Sequence, residues 1–316
     1  MKALVTGGAG FIGSHLAEAL CRQGAKVAVL DNLSEGSLAN LAWRKAGDEL
    51  EFIQGDIADA ELLRQILPGC AWVFHQAALT SVPKSVAEPL LSHTVNLDAP
   101  LRLLVAARDA AVNRFFFASS SAIYGDADIS PKHEASPPRP LSPYALQKYA
   151  VEKYGQLFHQ LYGFETVSFR YFNVFGPRQG CNSPYSGVIA KFCTTMLHGG
   201  TPTVYGDGRQ SRDFTFIENV VAANLLAAEA PSAKVAGQVF NVGGGQSISI
   251  LELIAELNRL TGQTLEPHFE PARAGDVRDS CADISAIQRA LGFQEKVGWR
   301  KGLQRTLDFY RSQAHC

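Results

Sequence analysis

The sequence predicts an α/β protein, a doubly wound parallel sheet with a smaller C-terminal α/β lobe, and three observations predict it. Short apolar or β-branched runs alternate with amphipathic stretches through the first half, a glycine-rich turn directly follows the first such run, and after Arg170 the rhythm breaks into short pieces cut by Gly and Pro.

The strand runs are Ala3 to Thr6, Val27 to Leu30, Phe52 to Gln54, Trp72 to Phe74 and Arg114 to Ala118. Helical spacing lies between them at Ile12-Leu16-Leu20, Leu62-Leu63-Ile66 and Leu97-Leu101-Leu104-Val105. A long helix is expected from about Pro143 to Tyr162, entered through the proline-rich loop Ser136 to Pro143, and a strand follows at Thr166 to Arg170. In the second half short helices are expected over Val188 to Leu197 and Ile250 to Leu260, and Val239-Phe240-Asn241-Val242 reads as a strand rejoining the first sheet. Residues 1–170, with about 213–243 returning to them, then form one domain, and 171–316 mainly form the second lobe, with segments interleaved.

A chain of 316 residues with 46% hydrophobic residues can bury a sizeable core. Its 29 basic and 30 acidic residues give a net charge of -1, so no global field draws it to nucleic acid or an anionic membrane. No apolar run reaches the ~20 residues of a membrane span, and Met1-Lys2 leads at once into the first strand, leaving no room for a signal peptide. Six cysteines without CxxC or Cys/His clusters read as reduced thiols, and histidines such as His15, His75 and His93 show no metal-ligand spacing. A cytoplasmic protein without a metal is the expectation.

Thr6-Gly7-Gly8-Ala9-Gly10-Phe11-Ile12-Gly13 follows the first strand and opens the first helix, where a glycine motif carries meaning. The glycines fit GxxGxxG (Gly7, Gly10, Gly13) and GxGxxG (Gly8, Gly10, Gly13) alike. Small residues let the backbone approach a pyrophosphate held among the unpaired amides of the helix start, which makes the first domain Rossmann-type. Asp31-Asn32 ends the next strand about 20 residues on, where a carboxylate accepts hydrogen bonds from ribose hydroxyls. Asp31 favours NAD, since it repels a 2′-phosphate and no arginine stands beside it; its alternative role is to cap the turn. Asp56-Ile57 is placed to meet the adenine, and Asp56 reads equally well as a turn residue.

Tyr144-Ala-Leu-Gln-Lys148 sets a phenol and an ammonium one helical turn apart on one face, and Ser119-Ser120-Ser121 ends the fifth strand, where ligands collect in open parallel sheets. Together they suit removal of a proton from an alcohol while hydride leaves its carbon. Lys148 is expected to lower the phenol pKa, Tyr144 to act as base and then acid, and Ser120 to hold the same oxygen. The alternative is an ordinary half-buried helix.

Over nearly its whole length the chain resembles the extended short-chain dehydrogenases, specifically the NAD-dependent sugar epimerase and dehydratase family. The resemblance rests on TGGAGFIGSH (6–15), DNLS (31–34), GDI (55–57), HQAA (75–78), FASSSAIYGD (117–126), SPYALQKYAVEKY (142–154), RYFNVFGPRQ (170–179), GDGRQSRDFTFIENV (206–220) and RAGDVRDS (273–280). Within the family it most resembles the UDP-glucose and UDP-N-acetylglucosamine 4-epimerases.

The resemblance implies tightly held NAD, a homodimer formed through a helix bundle that includes the tyrosine helix, and Ser120, Tyr144 and Lys148 as catalytic triad. It implies cofactor contacts at Gly7, Gly10, Phe11, Ile12, Gly13, Asp31, Asn32, Asp56, Ile57, Ala77, Ala78, Asn96 and Tyr171, besides Tyr144 and Lys148, with Asn96 bracing the active-site helix. On the substrate side it implies Ser121, Asn173, Arg212, Arg273, Asp276 and Ser280, the arginines gripping a diphosphate unless they are solvated surface charges. The 4,6-dehydratases carry an Asp-Glu pair where this chain has Ser121 and Ala122, so dehydration lacks its acid.

What the resemblance leaves is redox-neutral 4-epimerisation of a UDP-hexose through a transient 4-keto sugar. Ser280 stands where a bulky tyrosine restricts some members to plain hexoses, and with the SVPKS segment (81–85) it implies room for UDP-GlcNAc and UDP-GalNAc beside UDP-Glc and UDP-Gal. The lysine some plain-hexose enzymes carry near Leu79 is absent here. A UDP-glucuronate 4-epimerase or decarboxylase, an epimerase acting at C2 or C5, and a non-catalytic NAD-binding regulator are the alternatives; an intact triad speaks against the last.

Overall fold

Along each strand of the first half, successive apolar side chains enter opposite layers, because a sheet covered on both faces needs both sets. In the computed structural model, which describes residues 1–127, 129–181, 187–272 and 277–313, Ala3 and Val5 enter one buried cluster and Leu4 the other, as do Phe116 on one side and Phe115 and Phe117 on the other.

The elements run β1 (Lys2–Thr6), α1 (Phe11–Arg22), β2 (Lys26–Asp31), β3 (Leu50–Gln54), α2 (Ala60–Ile66), β4 (Cys70–His75), α3 (Val82–Ala87), α4 (Pro89–His93), α5 (Ala99–Asp109), β5 (Arg114–Ser120), α6 (Pro143–Tyr162) and β6 (Glu165–Tyr171). The second half adds β7 (Val174–Phe175), α7 (Val188–Leu197), β8 (Thr203–Tyr205), β9 (Ser211–Arg212), β10 (Thr215–Phe216), α8 (Ile217–Glu229), α9 (Ser232–Val235) and β11 (Gln238–Val242). It ends with β12 (Ile248–Ser249), α10 (Ile250–Thr261), β13 (His268–Glu270), α11 (Ser285–Leu291) and α12 (Trp299–Ser312).

Seven parallel strands form the main sheet in the order β11-β6-β5-β4-β1-β2-β3. The strand order therefore reverses between β1 and β4, and the crevice at their carboxyl ends is where such sheets bind ligands. β11 pairs with β6 from Gln238↔Val167 to Val242↔Tyr171, so the chain visits the second lobe and returns. That lobe has two-residue and three-residue strands, β7 with β10, β9 with β12 and β8 with β13, whose brevity hid them from a pattern search.

α6 starts and stops where its sequence dictates. Ser142 caps it by accepting from the Ala145 amide at 3.2 Å, Pro143 takes the first turn, and Gly163 closes it in the left-handed conformation at φ 66°. One departure from the expected periodicity is a wide helical turn over Thr94–Asp98, which continues α4 into α5 and turns Asn96 inward. Another concerns cysteine. Cys21, Cys70, Cys193 and Cys281 are free, but Cys181 is disulfide-bonded, which corrects the expectation of thiols throughout.

Among the described residues, no helix is long and apolar enough to cross a membrane, and no cluster of three or more His, Cys, Asp or Glu side chains could hold a metal ion.

Candidate active site

The glycine loop is built so closely that side chains are excluded. Gly7 has φ 64°, and a Cβ on it would lie 2.6 Å from the Ala77 amide nitrogen; one on Gly13 would lie 2.2 Å from the Gly7 carbonyl oxygen. α1 therefore begins hard against the β1 turn and the turn after β4. Its N-cap, Gly10, offers no side chain to the first amides, and its first turn carries no acid, leaving the Phe11, Ile12 and Gly13 end open to an anion. A dinucleotide pyrophosphate fits this cradle on both counts, shape and charge.

Asp31 ends β2 beside the loop, buried, its Oδ2 accepting from the Ala9 amide at 2.9 Å and its Oδ1 from Leu33 at 2.8 Å. It thus caps the turn, and a carboxylate has lone pairs left for ribose hydroxyls. Asn32 donates to Asp56 Oδ2 at 3.0 Å, while Asp56 Oδ1 accepts from Ala58 at 2.8 Å, the turn role foreseen for it, and Ile57 is buried in the sheet layer behind. Ala77 abuts Gly7, with half-buried Ala78 next to it.

Of the three serines ending β5, strand alternation separates the duties. Ser119 Oγ donates to the buried Glu152 Oε2 at 3.1 Å, whereas Ser120 is hydrogen-bonded to the Tyr144 hydroxyl and accepts from the Ala122 amide at 3.2 Å. Ser121 starts the short turn that follows. Lys148 is buried, donates to the Ala118 carbonyl at 2.8 Å, and keeps its Nζ 5.9 Å from the Tyr144 ring centre. The triad is therefore assembled.

The electrostatics differ from the expected lowering of the tyrosine. Burial pushes the Tyr144 phenol up, partly offset by the Ser120 hydrogen bond, and burial lowers Lys148 to about 8. Lys148, its Nζ engaged by the Ala118 carbonyl, is not among the groups that shift the phenol, so desolvation sets the direction. Under the site, His75 is held neutral, its pKa lowered to about 3 first by burial and then by Lys148, with its Nδ1 2.8 Å from Thr6 Oγ1.

The groups that steady this helix include Asn96, implied by the resemblance, and two that sequence reasoning missed, Ser85 and Glu152. Ser85 Oγ accepts from the Tyr144 amide at 3.2 Å, tying α3 to the start of α6. Asn96 braces the Leu79 turn through both backbone groups, at 2.9 and 3.0 Å, and reaches Ser92 at 3.3 Å. Glu152, one turn beyond Lys148, is fully buried and pairs with Arg170 on β6 at 2.6 Å; Arg170 also donates to Tyr124 Oη at 2.9 Å, which donates to Asn241 Oδ1 on β11 at 2.6 Å. The i, i+4, i+8 series Tyr144-Lys148-Glu152 was a signal available in the sequence.

On the second lobe, Asn173 Nδ2 donates to the Asp213 carbonyl at 3.2 Å, Arg212 Nη1 donates to the carbonyls of Ser211 and Arg278 at 2.8 and 3.1 Å, and the Ser280 amide donates to Ser211 at 3.2 Å. These three predicted residues are stitched around 211–213, and Tyr171, level with Ser120 in the sheet, leads into Asn173. Asn173 and Arg178 hold positive φ angles of 27° and 66°, strain of the kind that collects at clefts. A cavity of about 80 Å³ opens there between Asn173, Phe175, Gln179, Val188 and Phe214. A larger one, about 770 Å³, lies between α2 and α5 and is lined by none of the predicted site residues. Tyr171 is buried in the core with its hydroxyl taken by Asn224 at 2.8 Å and Gln76 at 3.4 Å. Arg273 and Asp276 lie outside the described residues.

A doubly wound sheet with a glycine cradle at its switch point and a Ser-Tyr-Lys triad on the neighbouring strand and helix defines an NAD-linked alcohol oxidoreductase-type centre. The chain belongs to the NAD dependent epimerase/dehydratase family, whose profile matches residues 3–243. It is 38% identical over 318 residues to the UDP-glucose 4-epimerase of Mycolicibacterium smegmatis, covering 99% of this chain and all of that one. A UDP-N-acetylglucosamine 4-epimerase from Methanobrevibacter ruminantium, solved with UDP-N-acetylmuramic acid, has a TM-score of 0.94 at 41% identity over 99% of this chain and 98% of that one. The UDP-glucose 4-epimerase of Thermotoga maritima, solved with UDP-glucose, has a TM-score of 0.94 at 38% identity over the full length of both.

Proposed function

We propose that the chain is an NAD-dependent isomerase that inverts C4 of a UDP-hexose through a transient 4-keto sugar. The observation carrying this reading is the buried Tyr144 hydrogen-bonded to Ser120, with Lys148 one turn on, at the carboxyl edge of the sheet beside the glycine cradle. Bound NAD supplies the hydride acceptor and donor for C4 and a ring charge that favours the phenolate. Gly7, Gly10, Phe11, Ile12 and Gly13 hold its pyrophosphate and Asp31 its ribose.

Tyr144 takes the proton of the 4-hydroxyl as the C4–H bond breaks and gives it back to the 4-oxygen after the keto sugar has turned its opposite face to the hydride source; Ser120 holds the same oxygen, and Lys148 balances the phenolate charge. Asn173, Arg212, Arg273, Asp276 and Ser280 keep the UDP anchored while the sugar turns over, with Ser121 an accessory. Residues 1–170, joined by 213–243, form the cofactor half in this reading, and the rest of 171–316 the substrate half.

Similarity to both a UDP-glucose and a UDP-N-acetylglucosamine 4-epimerase, and a small Ser280, support use of either sugar class. A homodimer goes with the reading, because α6 presents Leu146, Leu157 and Leu161 at 56%, 45% and 68% exposure along one side. A cytoplasmic setting also belongs to the reading: four thiols among the described residues are free, and the Cys181 disulfide is the feature that counts against it.

The test is proton NMR of products from UDP-Glc and, separately, UDP-GlcNAc with the purified chain and NAD. The matching galacto sugar should appear and be abolished by Tyr144→Phe; conversion that persists in that variant, or a different product, rejects the reading.

A further inference from the structure

Asp213 stands between Arg212 and Phe214 with its side chain fully buried. Its Oδ1 accepts from the Gly244 amide at 2.7 Å, and its Oδ2 from Gly245 at 3.0 Å and Ala282 at 2.9 Å. Its own carbonyl accepts from Asn173 Nδ2 at 3.2 Å. A Cβ on Gly243 would fall 2.8 Å from Oδ2 and one on Gly244 3.2 Å from Oδ1, so the loop after β11 closes directly on this carboxylate. Its side chain thus joins the β9–β10 connection to the loop after β11 and the 277–282 segment, and its main-chain carbonyl adds the turn after β6.

We propose that Asp213 is the positioning residue of the nucleotide-sugar site, its carboxylate fixing the segments that carry Arg212 and Ser280 against the loop after β11, and its carbonyl holding Asn173 to them, at the spacing a UDP diphosphate requires. This rests on the reading of those three residues as the substrate-side set. Asp213 touches neither the triad nor the glycine cradle in the hydrogen bonds described, so its influence should fall on nucleotide affinity rather than on hydride chemistry.

Protonation gives the test its handle. An ionised carboxylate accepts freely on both oxygens; once protonated, one oxygen becomes a donor facing amides that are donors themselves. Burial raises the Asp213 carboxyl to about 6 against the pull of its three amides. The groups facing it add to that tendency or leave it standing. Glu295, from the segment before α12, has its own carboxyl pushed up by burial and by Asp213; Cys281, with Asp283 beside it, is pushed up by burial and by Asp213; Arg212, the last residue of β9, directly precedes Asp213 in the chain. Because the folded value lies above the unfolded one, this group's contribution to stability is greatest in acid and is lost as pH rises through about 6. Affinity and stability should therefore part company on acidification, which a purely structural role would not produce.

The experiment uses the full chain with NAD from about pH 5 to about pH 8, measuring by calorimetry the affinity for fully ionised UDP, so that protonation of its own terminal phosphate at about pH 6 is divided out, and KM and kcat for UDP-glucose. Wild-type affinity for UDP should weaken about tenfold as pH falls through about 6, with no matching drop in melting temperature from this group. Asp213→Asn should raise KM about tenfold at neutral pH, put the larger share of its loss in KM rather than kcat, keep NAD affinity, and flatten the pH dependence of UDP binding. A wild-type UDP affinity flat across that range overturns the proposal even if the variant fails to fold, as does an Asn variant that binds UDP like wild type or keeps the acid step. Wild-type chain that binds UDP but leaves UDP-glucose unchanged would reject the substrate reading, while the UDP profile still judges Asp213.

Discussion

Gly13→Ala tests whether the cofactor cradle is limited by backbone contact. In the first turn of α1 an alanine should help the helix by up to about 1 kcal/mol. Against that, its Cβ would sit 2.2 Å from the Gly7 oxygen and 2.8 Å from both Gly7 C and Gly8 Cα, all backbone, whereas ordinary contact starts at 3.4 Å. Loop and helix must separate by about 1.2 Å, and Leu16 and Leu20 on α1 are fully buried in the core, so the strain of such overpacking, about 1–3 kcal/mol, falls on packed elements. The net loss is about 1–2 kcal/mol, or a melting temperature lower by about 2–3 °C for a chain of 316 residues.

The larger effect falls on the cofactor. A 1 Å shift of the amides at the start of α1 removes two charge-assisted hydrogen bonds to a pyrophosphate at about 1.5–3 kcal/mol each, so the dissociation constant for NAD should rise at least about a hundredfold. Gly10→Ala, whose Cβ meets only Gly7 O at 3.0 Å and Gly7 C at 4.0 Å, should lose far less. Titration of each purified variant with NAD decides it: wild-type affinity in Gly13→Ala would refute the reasoning.

Other consequences follow from the same contacts. Lys148, lowered to about 8 by burial, should lose its charge and with it turnover above about pH 8, while its contribution to stability rises from there toward the unfolded value near 10.5; a kcat profile flat to about pH 10 would contradict this. Ser120→Ala should cut kcat about a hundredfold, whereas Ser119→Ala should cost only about 1 kcal/mol of stability, and steady-state kinetics beside thermal melts separate the two. Glu152→Gln leaves Arg170 charged and buried, which should cost about 3–5 kcal/mol and lower the melting temperature by about 5–8 °C; an unchanged melt would mean that the pair is relaxed by water.

Much of this was legible from the chain. The boundaries of α6 and α7 follow from a capping serine with proline, a closing glycine and helical periodicity, all local signals. The strands of the main sheet were readable because burial on both faces makes them continuous apolar runs. Gly7, Gly13, Ser120, Tyr144 and Lys148 could be picked out as candidates because the chemistry proposed for them demands fixed spacing. What escaped depends on contacts distant in sequence. Ser85 reaches Tyr144 across 59 positions, Asp213 reaches Ala282 across 69, and the short pairings of the second lobe have too few residues to show a period. The direction of the Tyr144 shift was misjudged because spacing reveals a neighbouring charge but not how far burial removes water.

The return of β11 to the sheet also bears on how the chain is made. A ribosome that has released β6 has exposed a sheet whose outer strand, Glu165–Tyr171, lacks its neighbour until Gln238–Val242 is synthesised, roughly seventy residues later. At about 5–20 residues per second that interval is about 4–14 s, during which an apolar strand edge is open to other nascent chains. Production of this protein should therefore be sensitive to translation speed between β6 and β11, and a nascent chain halted before Gln238 should be a preferred client of chaperones.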